Sequence, residues 1–413
     1  MTTLTEIVPD STLNPAPEAG IMPGTTLVAQ SVLPVMGAVL LVPVMPLIFR
    51  QYGAMPNADF WIGALITAPG LCIALLSPLV GLLAKRFGRR TPLILALSIY
   101  GFAGTAPLVL SNFAAILASR VVLGIAEAII ITLTATLIGD YYRDARRAKW
   151  FAMISTVAST SAVFLFGVSG ALGHAFGWRG PLIVYAAALV FVPMMILFTW
   201  EPKADPLPAR TTIPPVTYSP ALRAHLVRSG LVSFIGGTLF YTLVLQQGLG
   251  LAATGTTDPA RIGMLTALAS IGNILGTLLF RRFTAVSIPL LMTVEFALIG
   301  VAMIVIGQVT TDTHFAIAAF FGLIGAGALM PTVLTWTMRD LPFAARPLGT
   351  GIFQSSFMLG QFASGATMVF GTRALGGHVL TTFAMVGCMA LIAAFIAAAL
   401  HLTRIVPQRP VSG

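Results

Sequence analysis

Apolar runs of about twenty residues alternate with short polar segments along almost the whole chain. A helical run of this length can cross the hydrocarbon core of a bilayer. The pattern predicts twelve membrane-spanning helices, called spans 1 to 12, and three prolines in span 1 predict that it bends. The predicted ranges are 27–49, 60–83, 91–110, 113–138, 149–172, 180–200, 224–247, 260–280, 284–308, 314–338, 346–370 and 378–403.

The longest polar stretch between predicted spans is EPKADPLPARTTIPPVTYSP, residues 201–220, which contains six prolines. This composition favours an extended linker rather than a domain. The sequence therefore predicts a half of six spans at 27–200, a cytoplasmic linker at 201–223 and a second half at 224–403. A basic sequence ends span 2 (GLLAKRFGRR) and span 8 (GTLLFRRF), as expected if the halves arose by duplication.

The two ends of the chain are predicted to be tails. Residues 1–26 are polar, rich in proline and without Lys or Arg. A secretory signal needs a basic start, so we interpret this segment as a disordered cytoplasmic tail. Residues 404–413 form a second predicted cytoplasmic tail.

Composition supports an all-α membrane protein. Hydrophobic residues make up 57% of the chain and charged residues 9%, whereas soluble domains are about 25% charged. Cys72 and Cys388 lie in apolar runs, where a packing role is expected. The five histidines are scattered and form no metal-ligand pattern. We therefore expect no metal and no cofactor.

The distribution of basic residues predicts the orientation. Most Lys and Arg residues cluster in alternate segments at or beyond the ends of the spans, and four fall in the other set of segments, namely Arg50, Arg179, Arg261 and Arg373. Basic loops stay in the cytoplasm, so both termini are predicted to be cytoplasmic, in a multi-pass protein of the plasma (inner) membrane. The net charge of +10 therefore indicates topology, and no nucleic-acid partner is expected.

Two charged residues interrupt span 4, in the run RVVLGIAEAIIITLTATLIGD. Arg120 and Glu127 are seven residues apart, so their side chains project from one face of the helix, about 10 Å apart along its axis. A charge at the centre of a bilayer costs roughly 3 kcal/mol on insertion scales, and such residues usually mark an ion or substrate path. The pair predicts proton-coupled transport.

Two motifs carry a resemblance to a known family. The loop after span 2 reads Gly81-Leu-Leu-Ala-Lys85-Arg86-Phe-Gly88-Arg89-Arg90, close to G-x-x-x-D-R-x-G-R-R. Span 4 contains Arg120-Val-Val-Leu-Gly124-Ile-Ala126, which fits R-x-x-x-G-x-G/A. With twelve spans and a central linker, the chain resembles the major facilitator superfamily over nearly its whole length. This resemblance implies two six-helix halves, alternating access, and a gating role for Gly81, Lys85, Arg86, Gly88, Arg89, Arg90 and Asp140.

Three positions depart from the family patterns. Lys85 stands where the loop normally has an acid that helps to hold the halves together. The G-P-x-x-G-G motif of drug–proton antiporters aligns with residues 165–170, LFGVSG, of which the last glycine matches. Glu127 after the span 4 motif is more similar to organic-anion–proton symporters and to spinster-type lipid transporters. By the same resemblance, Arg89 and Asp140 are expected to pair at the cytoplasmic face.

The acids within the bilayer have competing interpretations. Glu127 is interpreted as the proton carrier, because burial and a nearby arginine oppose each other in setting its protonation. The alternative is a permanently protonated, hydrogen-bonded carboxyl. For Glu295 in span 9, outside the expected cavity-lining set, the structural alternative is favoured. Arg120 could likewise be a structural arginine bonded to backbone carbonyls.

Uncharged polar residues are the candidates for a substrate cavity. Each is comparably suited to hydrogen bonding between helices. The candidate residues are Gln30 in span 1, Tyr241 in span 7, Asn273 in span 8, Trp336 in span 10, and Gln354 and Gln361 in span 11.

The sequence predicts a monomeric transporter that moves small organic molecules and protons across the lipid bilayer. Export by proton antiport is favoured, because the polar cavity candidates are uncharged and bacterial relatives with such apolar halves are often exporters. One alternative is proton symport of an organic anion with Arg120 as its partner, and another is transport of a lipid-like substrate. A membrane-embedded enzyme or a scramblase is the rival class. An enzyme is not expected, because the sequence contains no nucleotide-binding loop or nucleophile–base pair.

Overall fold

The computed structural model describes residues 19–202, 219–283, 285–339, 341–342 and 345–402, and the regular secondary structure within them is helical. Eleven helices of this part are long and apolar enough to cross a membrane. Spans 2 to 5 are the helices Ala58–Phe87, Arg90–Thr105, Phe113–Tyr141 and Asp144–Phe176, and spans 8 to 12 are Pro259–Arg282, Ile288–Ile306, Asp312–Arg339, Arg346–Ala374 and Val379–Leu402.

Two further spans have a change in helical geometry. Span 6 begins as a 3₁₀-helix, Gly180–Ala187, and continues as the α-helix Ala188–Phe198. Span 7 is the helix Pro220–Leu245, followed by the short helix Gln247–Ala253. Span 3 ends in one 3₁₀ turn, Ala106–Leu108.

Span 1 is broken into three helical segments, Ile21–Ala29, Val32–Val39 and Met45–Tyr52. The second break contains Pro43, and Pro46 begins the third segment, so the predicted bending is confirmed. A proline has no N–H group to continue the helix ladder. Span 1 is thus a chain of short helices rather than one rod over 27–49.

Span 11 is the helix that does not appear among the eleven apolar ones. It has 29 residues and is therefore about 43 Å long, enough to cross a bilayer. It packs between span 2 and span 7. Its polar residues Gln354 and Gln361 are buried or half-buried. The helix can therefore be polar, because protein rather than lipid covers much of its surface.

The segment boundaries differ from the predictions at two places. Helix begins at Ile21, so residues 21–26 are not part of a disordered tail. Span 7 begins at Pro220, where the Ser219 hydroxyl accepts a hydrogen bond from the Leu222 N–H and caps the helix. The predicted linker is therefore too long at its end. Residues 1–18, 203–218 and 403–413, which contain most of the predicted tails and linker, lie outside the described residues.

Close helix contacts inside and between the halves depend on small residues. In the second half, side chains at Gly272 and Gly276 of span 8 would collide with the carbonyl oxygens of Phe320 and Ile324 in span 10. Small residues allow backbones in membranes to approach closely. Small residues likewise allow span 5 to pack closely against span 8.

The two halves meet at one end of the bundle. We call the end at which spans 2, 4, 8 and 10 finish the basic end, and the opposite end the far end. Near the far end, Gly170 of span 5 packs directly on Gly263 of span 8, and Thr67 of span 2 packs on Gly365 of span 11. Arg373 of span 11 also forms an ion pair with Asp59 of span 2, with N–O distances of 2.6 Å.

The halves diverge toward the basic end. The face of span 2 that carries Thr67 continues to Pro78, Gly81 and Lys85, all of which are exposed. A side chain at Gly81 would meet nothing within 4 Å. The halves are therefore in contact near the far end and separate toward the basic end in this conformation.

Candidate functional site

Span 4 positions the two charged residues that the sequence analysis singled out. The helix starts after Asn112, whose side-chain oxygen accepts hydrogen bonds from the N–H groups of Ala114 and Ala115. Arg120 and Glu127 follow at two and four turns, and each is 2% exposed. Both side chains are therefore buried inside the first half of the protein.

The guanidinium of Arg120 binds the end of span 3. Its Nη2 donates to the carbonyl oxygens of Ala103 and Gly104, at 2.9 Å each. These carbonyls belong to the last turn of the span 3 helix, where backbone acceptors have no partner within the helix and a cation is favoured. The group also lies over the Tyr185 ring of span 6, 5.0 Å from its centroid.

Arg120 thus joins three helices of the first half. Its Nε and Nη1 are buried and have no hydrogen-bond partner among the described residues. The contacts agree with the structural alternative considered for Arg120, in which backbone carbonyls hold it. In this conformation the guanidinium faces spans 3 and 6 rather than the interface between the halves.

The carboxyl group of Glu127 lies against span 1. A methyl group added at Gly37 would lie 2.8 Å from Oε2, 3.0 Å from Oε1 and 3.1 Å from Cδ. In the described structure, Oε2 is buried without a hydrogen-bond partner. Burying an unpaired carboxylate is costly, so this environment favours the neutral, protonated carboxyl.

Glu127 is linked to the second half through span 1. Gly37, against which its carboxyl lies, belongs to the Val32–Val39 segment, and this segment contacts span 7. Tyr241 is half-buried and its hydroxyl points to the Met358 sulfur at 3.7 Å. The proton-carrier candidate is therefore close to the interface between the halves.

Two of the glutamine candidates serve helix contacts in this conformation. Gln30 is fully buried, and its Nε2 donates to the Thr134 hydroxyl of span 4 at 2.8 Å. Gln361 is 3% exposed and packs on Gly70, where span 2 meets span 11. Gln30 thus stabilises the first half, whereas Gln361 lies between the halves.

The other three cavity candidates are half-buried and lie apart from one another. Asn273 packs on Gly327 of span 10. Trp336 contacts the ring of His225 near the basic end, with centroids 5.5 Å apart. Gln354 lies two turns before Gln361 on span 11, nearer the basic end.

The predicted pair of Arg89 and Asp140 is present, with 3.2 Å between Nη1 and Oδ2. Glu201, which was not predicted from the sequence, accepts hydrogen bonds through its carboxylate from the N–H groups of Arg89 and Arg90 at 2.7 and 2.8 Å. Gly88 adopts φ +77°, which favours glycine, and Glu201 packs against it. Glu201 therefore caps span 3 and fixes the loop that holds Arg89.

The remaining loop residues are exposed in this conformation. Lys85 and Arg86 are both exposed, and the Arg86 guanidinium lies 5.3 Å from the centroid of the Phe87 ring. Their part of span 2 is where the halves diverge. A gating role for these residues stays a prediction.

Glu295 is held by a neighbouring helix. The Thr332 hydroxyl of span 10 lies 2.6 Å from Glu295 Oε1 and 2.9 Å from the Ala328 carbonyl. A hydroxyl has one proton to donate, and a carbonyl only accepts. If Thr332 donates to Ala328, a protonated Glu295 must donate to Thr332, so a neutral Glu295 satisfies both contacts.

Ion pairs at the far end were not identified from the sequence. His174 of span 5 lies 2.8 Å from Asp258, the residue that caps span 8. This hydrogen bond holds the pKa of Asp258 below its ordinary value of 3.8. The pair therefore stabilises the contact between the halves when the pH is above 3.8. This stabilisation is lost as the pH falls through the lowered pKa of Asp258. A contact between residues 84 positions apart leaves no local signal in the sequence.

No group of three or more His, Cys, Asp or Glu side chains in the described residues could hold a metal ion. Cys72 and Cys388 are both free.

Sequence comparison gives a match to the Major Facilitator Superfamily over residues 29–365. A curated relative, "MFS transporter L2" of Phoma sp. (strain ATCC 20986 / MF5453), is 27% identical over 135 residues, which is 33% of this chain and 22% of that protein. The chain thus matches about a fifth of the length of this relative.

Solved structures share the fold. A bacterial homolog of the human lysosomal transporter Spinster, inward-facing and unoccupied, has a TM-score of 0.71 at 18% identity and covers 92% of this chain and 96% of that chain. A D-xylose–proton symporter has a TM-score of 0.74 at 13% identity and covers 91% and 97%. With its all-α architecture of two six-helix halves, the chain belongs to the major facilitator superfamily, whose members are membrane transporters of small solutes.

Proposed function

We propose that this protein is a proton-coupled secondary transporter that exports small organic molecules by proton antiport. The observation that carries the proposal is the position of Glu127. Its carboxyl is buried, lacks a partner for Oε2 and lies against the segment of span 1 that contacts span 7 of the second half. A carboxyl without fixed partners can change its protonation when the cavity changes from one side to the other.

Coupling requires that the proton and the substrate each prefer one of the two conformations. A proton on Glu127 favours the burial seen here, with the halves separated toward the basic end. Loss of the proton would favour a state in which water or a cationic group reaches the carboxylate. If the proton leaves toward the basic end, a substrate can bind the deprotonated site from that side, so that the proton and the substrate occupy the site in turn.

The position of Arg120 favours antiport over the symport of an organic anion. The symport alternative requires a guanidinium in the cavity that can meet a carboxylate. Arg120 instead binds Ala103 and Gly104 and is 2% exposed. We therefore assign Arg120 to the support of the proton site, and an uncharged or cationic substrate to the cavity.

We further propose that the protein is a monomer in the plasma (inner) membrane, with the basic end and both termini in the cytoplasm. The basic loops support this orientation. The separation of the halves toward the basic end then faces the cytoplasm, the side from which an exporter loads its substrate. We propose no enzymatic activity.

The test is transport in proteoliposomes driven only by a pH difference. Glu127→Gln keeps the size of a protonated glutamate but cannot release a proton. We expect the rate of pH-driven accumulation to fall by about two orders of magnitude, which corresponds to about 2.7 kcal/mol of activation free energy. Exchange of substrate along its own gradient should remain, because it needs no net proton transfer.

Glu295→Gln is the matched control, because Glu295 is the other acid in the interior of a span and its carboxyl has a hydrogen-bond partner. This variant should transport within about twofold of the wild type. If Glu127→Gln still concentrates substrate when only a pH difference is supplied, Glu127 is not the carrier. The substrate panel should contain amphiphilic cations, organic acids and lysolipids, so that the symport and lipid alternatives can also appear.

A further inference from the structure

The Glu127 carboxyl occupies the space that a side chain at Gly37 would fill. All three of its terminal atoms would lie between 2.8 and 3.1 Å from an added methyl group. Contacts under 3.0 Å require atoms to move. The backbone of span 1 is therefore part of the pocket for the carboxyl, and Gly37 is the residue that makes room for it.

Gly37 belongs to a short helical segment, Val32–Val39. Turns interrupt span 1 before Val32 and after Val39, so this segment is not locked into one continuous helix. Hydroxyl groups of other helices hold its carbonyls. Tyr100 donates to Leu33 O at 2.5 Å, and Tyr185 lies 3.4 Å from Met36 O.

The same two tyrosines connect the segment to Arg120. Their rings meet edge to face, with centroids 5.6 Å apart. The guanidinium lies over the ring of Tyr185. Ser169 of span 5 holds the end of the segment by donating to Leu40 O at 2.5 Å. The position of the segment is thus set on one side by Glu127 and on the other by spans 3, 5 and 6.

We infer that the Val32–Val39 segment is the element that responds to the protonation of Glu127, and that Gly37 is its positioning residue. The inference rests on the proposed role of Glu127. When the carboxyl releases its proton to water in the cavity, a negative charge remains against the backbone of Gly37, and Oε2 has no donor there. The segment then moves away, because a buried charge needs solvation or a partner.

Hydrogen–deuterium exchange of the full-length protein in lipid nanodiscs tests the movement directly. Wild type and Glu127→Gln are compared at the same pH, where the chemical exchange rates of a given peptide are equal. Peptides that cover residues 32–39 should exchange equally at low pH. At high pH the wild type should exchange at least threefold faster than Glu127→Gln, whereas peptides from span 12 should not differ.

Gly37→Ala tests the positioning role through the pH profile of substrate exchange. The added methyl group makes the surroundings of the carboxyl more apolar, so the midpoint of the profile should move about one unit to higher pH. In the Glu127→Gln background, Gly37→Ala should leave the profile flat. Gly139→Ala is the matched control, because Gly139 lies on span 4 and an added methyl there meets nothing within 4 Å.

The outcomes separate this inference from the proposed function. If Glu127→Gln loses pH-driven transport but residues 32–39 exchange alike in both proteins at every pH, the inference is overturned and the proton carrier stands. If Glu127→Gln retains pH-driven transport, both fail. A Gly37→Ala profile that coincides with that of Gly139→Ala also overturns the positioning role, and the exchange experiment remains decisive if Gly37→Ala does not fold.

Discussion

The two halves share an architecture but differ in whether their central helices, spans 4 and 10, contain charged residues. Span 4 of the first half buries Arg120 and Glu127, whereas its counterpart, span 10 of the second half, has no charged residue between His314 and Arg339. The acid in the interior of a span of the second half, Glu295, lies on span 9 and contacts span 10 through Thr332. The proton site that we propose therefore lies in the first half.

The two acids also differ in their partners. Glu295 has a hydroxyl partner at 2.6 Å, and a neutral carboxyl satisfies that hydroxyl and its carbonyl acceptor together. Oε2 of each acid is buried without a hydrogen-bond partner in the described structure, so the two acids differ at Oε1, where Glu295 has a hydroxyl partner, and in the interrupted helix of span 1 beside Glu127. A carboxyl held by a fixed hydrogen bond resists change, while one without such a bond responds to its surroundings. Burial alone does not make an acid a proton carrier.

The largest effect that would sharpen this comparison is expected at Arg120. Arg120→Lys retains the charge but loses the planar group that lies over Tyr185 and binds two carbonyls. We expect transport to fall at least about tenfold, or about 1.4 kcal/mol in rate, with a lower thermal unfolding temperature in detergent.

Arg179→Lys is the control for that substitution. Arg179 also donates to a backbone carbonyl, Leu110 O, and lies over a ring, that of Trp178, but it is half-buried near the far end. It should change transport by less than about twofold. Equal flux through Arg120→Lys and the wild type would show that a point charge suffices at this site.

The second prediction concerns Glu295, the acid with a hydroxyl partner. Thr332→Val removes the hydroxyl partner of Glu295 and leaves a buried carboxyl unpaired. The variant should lose about 1–3 kcal/mol of unfolding free energy, while its pH-driven transport remains coupled. Thermal unfolding in detergent measures the loss, with Thr332→Ser as the variant that keeps the hydroxyl. Unchanged stability in Thr332→Val would remove the distinction between the two acids.

The third prediction concerns the closed far end. Arg373→Gln breaks the fork of two hydrogen bonds to Asp59 and the contact with Asn57 that together join spans 2 and 11. We expect a cysteine introduced at Val369, which packs on Gly63 across this interface, to react several times faster with a membrane-impermeant thiol reagent. The protein used should lack Cys72 and Cys388.

Arg261→Gln is the matched control for the far end. Arg261 forms a similar fork with Asp312, but both residues belong to the second half. Its loss should leave the reactivity at residue 369 unchanged. If both substitutions accelerate the reaction equally, the ion pair between the halves does not hold the far end closed.

The smallest effect is expected at Lys85. Lys85→Asp restores the acid of the family motif. When the halves come together at the basic end, this negative charge is expected near the N-terminus of span 11. Helix N-termini favour anions by about 0.3–1 kcal/mol. The population closed at the basic end should rise by about twofold, measured as slower labelling of a cysteine at the exposed Gly81. Lys85→Gln separates the new acid from the loss of the base, and no change in either variant would make Lys85 a passive surface residue.

Much of the fold was determined by the sequence itself. Twelve apolar runs and a proline-rich linker predict two six-helix halves, because the thickness of a bilayer fixes the length of a span. The breaks in span 1 follow from prolines, which act locally. Arg120 and Glu127 could be selected because a charge in an apolar run is costly wherever the helix packs. The partnership of Arg89 and Asp140 came from a family motif.

The tertiary structure alone decided what those residues contact. Nothing local in the sequence indicates that Arg120 binds the end of span 3, that Glu127 lies on Gly37, or that Thr332 holds Glu295, because each contact joins different helices. Hydropathy also could not separate Gln30, which bonds inside one half, from Gln361, which lies between the halves. The sequence shows which residues are too polar to face lipid, whereas the packing of the helices determines which neighbour forms a hydrogen bond or ion pair with each of them.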